Sequence, residues 1–352
     1  MTTPVEPDID LSDLLAPVQP PVDGPAQVRR TARRRTLRRR LSATGLVVAL
    51  ACGGIAVALA RQASRTTVST VAHPGARGRI AYARARPSFG PDLLLVEIDL
   101  IQPDGTGHRS LARTAGRGRV GAEPSWSPDG LHLAFVDGTR AMGRNAGTGN
   151  ISVIDADGTH LHSVTTSGTD AQPAWSPDGK HIAFVRFVSG QGDLYVMRTD
   201  GSAVRRLTHR GAMGPSWSPD GRAIAFTSPL PDRGNPHVFV MDSNGGRERQ
   251  VTYGVEESQP AWSPTSSEIA FVDEADSSLH AIRADGTGLR RLTTCQQPGC
   301  LSDTEPAWSP DGRFLVFARD IAGRRQLHVV NSDGTGLRRV TDDQADDCCP
   351  SW

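Results

Sequence analysis

The sequence has little lysine, few aromatic residues and no recognisable catalytic motif. Lys180 is its one lysine among 39 basic residues, and aromatic residues make up 5% of the chain. We attribute the lysine shortage to codon usage in a GC-rich genome. The chain has no Gly-x-Ser-x-Gly elbow, no His-Glu-x-x-His pair and no phosphate-binding loop, so its motifs give no support to an enzyme built on any of them.

The scarce aromatic residues include six tryptophans that all occupy the same short motif, Pro-Ser/Ala-Trp. Successive copies are 49, 42, 45, 46 and 44 residues apart, and the motif contains Trp126, Trp175, Trp217, Trp262, Trp308 and Trp352. A β-rich repeat of roughly 40–45 residues is typical of propeller blades. These tryptophans are therefore interpreted as structural residues.

Each period also contains two turn signals. Ser-Pro-Asp-Gly follows four of the tryptophans, and an Asp-Gly or Asn-Gly pair lies further along each period, as at Asp200-Gly201. Such turns separate short strands. Each period thus predicts four antiparallel strands, a to d: a carries Trp, b carries Ala-Phe, c precedes Asp-Gly, and d resembles Arg206-Leu207-Thr208.

The two ends of the repeat region are half-units. A partial unit opens at Arg79 without a Trp motif, and the chain finishes on Pro350-Ser351-Trp352. We expect the last segment to supply strand a to the first unit. The prediction is an all-β fold, a closed six-bladed β-propeller of four-stranded blades over residues 79–352, rather than an open β-solenoid.

The repeat Pro-x-Trp-Ser-Pro-Asp-Gly, followed by Ile-Ala-Phe, Asp-Gly and Arg-Arg-Leu-Thr, resembles that of TolB-like propellers. The resemblance covers about four fifths of the chain. It implies a scaffold for envelope proteins. The α/β domain that precedes the propeller in the periplasmic family member is not expected here, nor is the hydrolase domain of related prolyl oligopeptidases.

The first 78 residues predict an exported protein. Residues 1–40 combine a Pro-rich acidic segment, expected to be mostly disordered, with an arginine run; residues 41–60 carry no charge and would span about 30 Å as a helix. Basic residues before this span predict a cytoplasmic N-terminus, so the span would be a single-pass anchor and the propeller would be extracytoplasmic. Residues 61–78 are interpreted as a linker. The alternative is secretion after cleavage near Ala60.

Charge argues against nucleic acid as a partner. Residues 1–60 hold eight basic and five acidic groups, leaving 31 basic and 33 acidic groups in residues 61–352. An exported domain with a net charge of about −2 is a poor binder of phosphate backbones. The arginine run is interpreted as a determinant of membrane topology and a contact for anionic lipids.

Four cysteines of the repeat region are disulfide candidates in an oxidising compartment: Cys295, Cys300, Cys348 and Cys349. A Cys295–Cys300 loop is one alternative, but bridges between the two cysteine pairs are slightly preferred. Zinc held by four thiolates is the less favoured alternative. No metal and no cofactor are predicted.

The residues just before each Pro-x-Trp motif should surround the mouth of the central channel. The predicted binding rim contains Glu123, Gln172, Gln259, Glu305 and the nearby Asp347. The predicted function is a non-enzymatic, extracytoplasmic scaffold that binds an envelope or secreted protein through this rim. The alternative is a small-ligand receptor, or a hydrolase or lyase, that uses the channel itself.

Overall fold

A computed structural model describes residues 78–87, 94–116, 122–140, 148–229, 234–342 and 344–352, and every regular element within these ranges is a β-strand. Over the same ranges, no helix has the length and apolar character needed to cross a bilayer. The predicted span at 41–60 lies outside the described residues, as do the segment predicted at 1–40 and all but the last residue of the linker predicted at 61–78.

The strands follow the predicted order a, b, c, d. The a strands, which carry or adjoin the tryptophans, are β4 (Ser125–Trp126), β8 (Asp170–Trp175), β12 (Met213–Trp217), β16 (Glu257–Trp262), β20 (Cys300–Trp308) and β24 (Asp346–Ser351). The b strands are β1 (Ile80–Pro87), β5 (His132–Arg140), β9 (His181–Val188), β13 (Ala223–Pro229), β17 (Glu268–Asp273) and β21 (Phe314–Ile321).

The c strands are as long as the b strands, whereas most d strands are short. The c strands are β2 (Leu94–Ile101), β6 (Thr148–Asp155), β10 (Gln191–Arg198), β14 (Pro236–Asp242), β18 (Ser278–Arg283) and β22 (Arg324–Asn331). The d strands are β3 (Arg109–Gly116), β7 (His162–Ser163), β11 (Arg205–Arg206), β15 (Arg249–Gln250), β19 (Arg290–Arg291) and β23 (Arg338–Arg339).

Hydrogen bonding between these strands forms an all-β propeller, but the sheets do not divide into six separate ones. Within the described ranges there are four four-stranded sheets, β24-β1-β2-β3, β12 to β15, β16 to β19 and β20 to β23, and one eight-stranded sheet containing β4 to β11. The eight-stranded sheet arises because Gly149 of β6 pairs with Asp170 of β8. The expectation of six separate sheets is thus corrected by this pairing.

The first and last parts of the repeat region belong to one sheet. Strand β24 pairs antiparallel with β1, with Cys348 opposite Ala83 and Ser351 opposite Ala81. Ser351 Oγ also accepts a hydrogen bond from the Trp126 N–H at 3.2 Å. The Arg338 guanidinium of β23 donates to the Pro103 carbonyl in the turn after β2. These contacts join residues that are more than 200 positions apart.

The hydrophobic core is divided into clusters that pack between neighbouring groups of strands. One cluster joins Ile98 of β2 to Phe135 of β5, with Trp126 packed against it. Each tryptophan of the repeat belongs to, or packs against, a different cluster: Trp126, Trp175, Trp217, Trp262, Trp308 and Trp352. The repeated aromatic residue therefore fills the space between adjacent strand groups, because one sheet cannot cover its own apolar faces.

The Ser-Pro-Asp-Gly turns explain how strand a reverses into strand b. At Ser218–Gly221, the Gly221 N–H donates to the Ser218 carbonyl at 2.9 Å and Gly221 has φ 70°, which glycine adopts readily. Ser218 Oγ donates to Asp220 Oδ1 at 2.7 Å and accepts from the Ala223 N–H at 2.9 Å. The serine thus connects both ends of the turn, and its hydrogen bond keeps the pKa of Asp220 below its usual value.

Candidate functional site

The residues that precede each Pro-x-Trp motif share an unusual backbone conformation. All have positive φ, between 46° and 60°, and we call them the inner ring: Glu123, Gln172, Gly214, Gln259, Glu305 and Cys349. The left-handed region costs most residues about 1–3 kcal/mol, so its recurrence at one repeat position requires compensating contacts.

Hydrogen bonds between successive members of the inner ring provide that compensation. Glu123 Oε2 accepts from the Gln172 N–H at 2.7 Å, and Gln172 Oε1 accepts from the Gly214 N–H at 2.7 Å. Gln259 Oε1 accepts from the Glu305 N–H at 2.7 Å. Each side chain thus satisfies the backbone of the next repeat, and the ring residues connect neighbouring a strands.

Gly214 has no side chain to continue this pattern. The Gln259 N–H donates instead to Thr227 Oγ1, at 3.1 Å, from the b strand of the preceding repeat. A hydroxyl from the neighbouring strand therefore replaces the missing amide, so the Gln259 N–H has an acceptor as those of Gln172, Gly214 and Glu305 do.

Glu123 is a ring residue whose protonation is strongly perturbed. Burial away from water raises the pKa of Glu123 to about 8, and the nearby Glu305 carboxylate adds to the rise, although the Gln172 hydrogen bond opposes it. At neutral pH the protonated form of this carboxyl group is therefore favoured.

Glu305 contacts Cys349, the second of two adjacent cysteines in the last strand. Glu305 Oε2 accepts from the Cys349 N–H at 2.6 Å, and Oε1 lies 3.4 Å from Cys349 Sγ. The Cys348 and Cys349 sulfurs are 2.7 Å apart. The hydrogen bond with Cys348, together with burial, raises the pKa of Cys349; for Cys348 that hydrogen bond lowers the pKa, but burial and Glu305 outweigh it.

Asp347 occupies a different environment from the ring. Its carboxylate is 1% exposed and accepts from Arg84 Nε at 2.8 Å and Arg84 Nη2 at 3.2 Å. Equivalent buried pairs in other repeats are Arg186 with Asp170 and Arg319 with Asp303. Asp347 therefore joins β24 to β1 through a buried ion pair, whereas the sequence places it on an accessible rim.

The cysteines do not pair across loops as the sequence favoured. Cys295 and Cys300 form a disulfide, while Cys348 and Cys349 are free thiols. The preference for bridges between the two pairs is wrong because Cys348 and Cys349 lie within β24, beside β1 and Glu305, rather than in a loop facing Cys295. A site of four thiolates is excluded for the same reason.

Several of the described histidines contribute to blade packing or to ion pairs. The rings of His280 and His328 lie 5.9 Å from those of Phe271 and Phe317, as the Phe239 ring does from that of Phe226 in another repeat. Burial lowers the pKa of His328 to about 4, so it packs as a neutral ring. His280 and His328 therefore take the c-strand position that Phe239 takes in another repeat.

Large apolar side chains are exposed on the segments that lead from strand d into strand a and at the start of strand a, where Leu301 is the second residue of β20. Tyr253 is 76% exposed, Val255 64% and Leu301 56%. Because antiparallel strands alternate direction, these segments lie at the strand ends opposite the Ser-Pro-Asp-Gly turns and the c–d hairpins. We call Tyr253, Val255 and Leu301 the apolar loop group.

The sequence located the ring residues but not their hydrogen bonds. Left-handed backbone at Glu123 or Gln172 has no propensity signal, because these residue types rarely adopt it. A weaker sequence signal for these hydrogen bonds was available, because four repeats have an acceptor side chain, Glu or Gln, at the ring position. In the repeat with Gly214, a threonine supplies the acceptor instead.

Known proteins share this architecture. The family model described as PD40, TolB beta propeller domain, matches residues 75–352. TolB from Acinetobacter baumannii is similar to this chain with 23% identity and a TM-score of 0.64, over 78% of this chain and 66% of that chain. The putative TolB from Agrobacterium tumefaciens matches with 19% identity and a TM-score of 0.58, over 76% of this chain and 90% of that chain.

An enzyme also contains this fold. Kuenenia stuttgartiensis hydrazine synthase is similar with 16% identity and a TM-score of 0.59, over 77% of this chain and 46% of that chain. This chain spans 66% of the length of the Acinetobacter protein. At such identities the likeness shows the fold alone, since one fold serves unrelated functions.

Proposed function

Since the chain belongs to the TolB β-propeller domain family, we propose that it is a non-enzymatic scaffold that binds an envelope or secreted protein outside the cytoplasm. The observation that carries this proposal is the apolar loop group. Three large apolar side chains that are more than half exposed, on neighbouring segments at one end of the strands, favour contact with another protein.

In this proposal the propeller has six blades. The eight-stranded sheet would be two blades, β4 to β7 and β8 to β11, joined by the Gly149–Asp170 pair. The division of the core into six clusters, each taking one tryptophan, supports this count. The inner ring then has one member per blade and serves as a rigid base for the loops above it.

A direct test compares two surface variants. Tyr253→Ser/Val255→Ser/Leu301→Ser removes the apolar loop group, and Leu161→Ser/Leu289→Ser/Leu337→Ser removes exposed leucines of the opposite c–d hairpins as a matched control. We expect a protein captured by the parent in cells to be lost by the first variant and kept by the control. Equal capture by both variants would contradict the proposal.

Membrane display is the second part of the proposal. The uncharged residues 41–60 after the arginine run support an anchor, and the Cys295–Cys300 disulfide is typical of an oxidising compartment. In intact cells an impermeant thiol reagent should label Thr70→Cys but not Ser12→Cys, both on a Cys52→Ser/Cys348→Ser/Cys349→Ser background that removes the other free thiols. The reverse labelling would contradict this orientation. Secreted protein that begins near Arg61 would favour the cleavage alternative.

A small-ligand receptor, or a hydrolase or lyase, that uses the channel is the second candidate function. The raised pKa of Glu123 favours it, because perturbed carboxyl groups are concentrated at functional sites. In the scaffold proposal this protonation instead follows from the structural role of the inner ring. Screening small molecules against the parent and Glu123→Gln separates the two, since a channel ligand should bind the parent alone.

A further inference from the structure

The chain contains a cluster of metal-ligating side chains that the scaffold proposal does not use. We propose that Cys348, Cys349 and Glu305 form a zinc site with one open coordination position. Their ligand atoms, two sulfurs and a carboxylate oxygen, all lie within 4.8 Å of one another. Thiolate and carboxylate are both established zinc ligands, and three protein ligands leave a fourth position for water or a small ligand.

A local irregularity of β24 brings the two sulfurs together. In a regular strand, adjacent side chains point to opposite faces. Here the pairing of β24 with β1 is irregular between Cys348 and Ser351, and Cys349 has φ 54°. The extra residue turns the Cys349 side chain toward Cys348, so both sulfurs and the Glu305 carboxylate lie close together. Such bulges commonly redirect side chains next to functional sites.

Packing does not require cysteine at these two positions. The corresponding pairs in the other repeats contain no thiol: Ala122-Glu123, Ala171-Gln172, Met213-Gly214, Ser258-Gln259 and Thr304-Glu305. The same bulge, positive φ and inner-ring contact therefore form with alanine, methionine, serine or threonine before the ring residue. The double cysteine is an addition to a repeat that folds without it.

The charges around the cluster suit a divalent cation. Zinc binding converts both thiols to thiolates and releases their protons to solvent. With Glu305 the ligands then carry three negative charges, and Asp346 adds another beside them. Arg325 Nη1 lies 3.7 Å from Glu305, but this guanidinium is held by Asp346 at 2.9 Å. The ligand set therefore keeps a net negative charge, most of which Zn²⁺ would offset.

Zinc requires only a small rearrangement of the thiols. With Zn–S bonds of about 2.3 Å and tetrahedral angles, the sulfurs would stand roughly 3.7 Å apart. They are now 2.7 Å apart, so the Cys349 side chain would have to rotate outward. The other candidate clusters fit less well: Cys295 and Cys300 are joined as a disulfide, and Asp276, beside Asp273 and His280, is paired with Arg291.

Cobalt titration of the full-length chain tests the site. The background variant Cys52→Ser/Cys295→Ser/Cys300→Ser leaves Cys348 and Cys349 as the thiols, and a thiol assay under reducing conditions first verifies that both are free. We expect thiolate-to-cobalt charge-transfer absorption that saturates at one ion per chain and disappears when Zn²⁺ is added.

Three further variants separate the site from the fold. Cys348→Ser/Cys349→Ser should abolish the absorption. Glu305→Gln should weaken cobalt binding at least tenfold yet keep the inner-ring hydrogen bond, because Gln172 and Gln259 make that bond in other repeats. Gln172→Ala, which removes a ring hydrogen bond elsewhere, should bind cobalt like the background.

Several results would overturn the site. One is that the folded background protein, with two free thiols, shows no charge-transfer absorption. The others are that the double serine variant binds cobalt as well as the background protein, or that Glu305→Gln has the cobalt affinity of the background protein. Zinc binding does not depend on a protein partner, so this test and the capture experiment can fail independently.

Discussion

The inner ring predicts that Gln172 stabilises the propeller through one hydrogen bond. Gln172→Ala removes the Oε1 acceptor of the Gly214 N–H, a bond of 2.7 Å in a partly buried position. Alanine and glutamine meet the same backbone restriction at φ 52°, so the change isolates the side-chain contact. Leaving a buried N–H without an acceptor costs about 1–3 kcal/mol.

Thermal denaturation monitored by tryptophan fluorescence is a suitable assay, because each of the six tryptophans comes three positions after a residue of the inner ring. A loss of about 1–3 kcal/mol corresponds to a fall in melting temperature of about 2–6 °C for a domain of this size. Gln172→Glu serves as a control variant, because it keeps an acceptor for the Gly214 N–H. It is measured at low pH, where its carboxyl group is neutral like the amide that it replaces. A stability of Gln172→Ala equal to that of the parent would refute the structural role of the ring.

Three other predictions concern single residues. Trp217→Ala should cost about 3–5 kcal/mol of unfolding free energy, the usual range for an aromatic residue removed from a core, and an unchanged denaturation midpoint would contradict the packing between repeats. Arg84→Ala should cost about 3–5 kcal/mol, because it removes the arginine that neutralises buried Asp347; a variant as stable as the parent would contradict the importance of that pair. The pKa of Glu123 is about 8 in the folded protein, compared with its usual value of 4.5. The contribution of the protonated carboxyl group to stability is therefore complete below pH 4.5 and is lost as the pH rises toward 8. Glu123→Gln should therefore gain stability relative to the parent across this range in urea titrations, and parallel pH profiles would refute the shift.

Much of the fold could be predicted from repeated residues. Trp217 and the Ser218–Gly221 turn have equivalents in other repeats, so tryptophan spacing defines each a strand and glycine with positive φ defines the turn after it. The position of β24 beside β1 followed from the two half-units at the ends of the repeat region. Local turn chemistry and side-chain size carry this information directly.

Contacts between repeats could not be predicted in the same way. The bond from Gln172 to Gly214 depends on a left-handed backbone that glutamine does not favour. The pairing of Cys295 with Cys300 depends on which strand holds each cysteine, and spacing alone leaves several connectivities open. Asp347 was predicted to be accessible because acidic side chains usually are, and its burial depends on Arg84, far away in sequence.

If the propeller binds a protein through the apolar loop group, that protein must come close to Tyr253. Photocrosslinking in living cells measures this, with a photoreactive amino acid at Tyr253 and, as a control, at Leu289 of an opposite hairpin; both side chains are more than half exposed. We expect one discrete protein adduct from position 253 and none from position 289. Adducts of the same protein from both positions, or none from position 253, would contradict such binding.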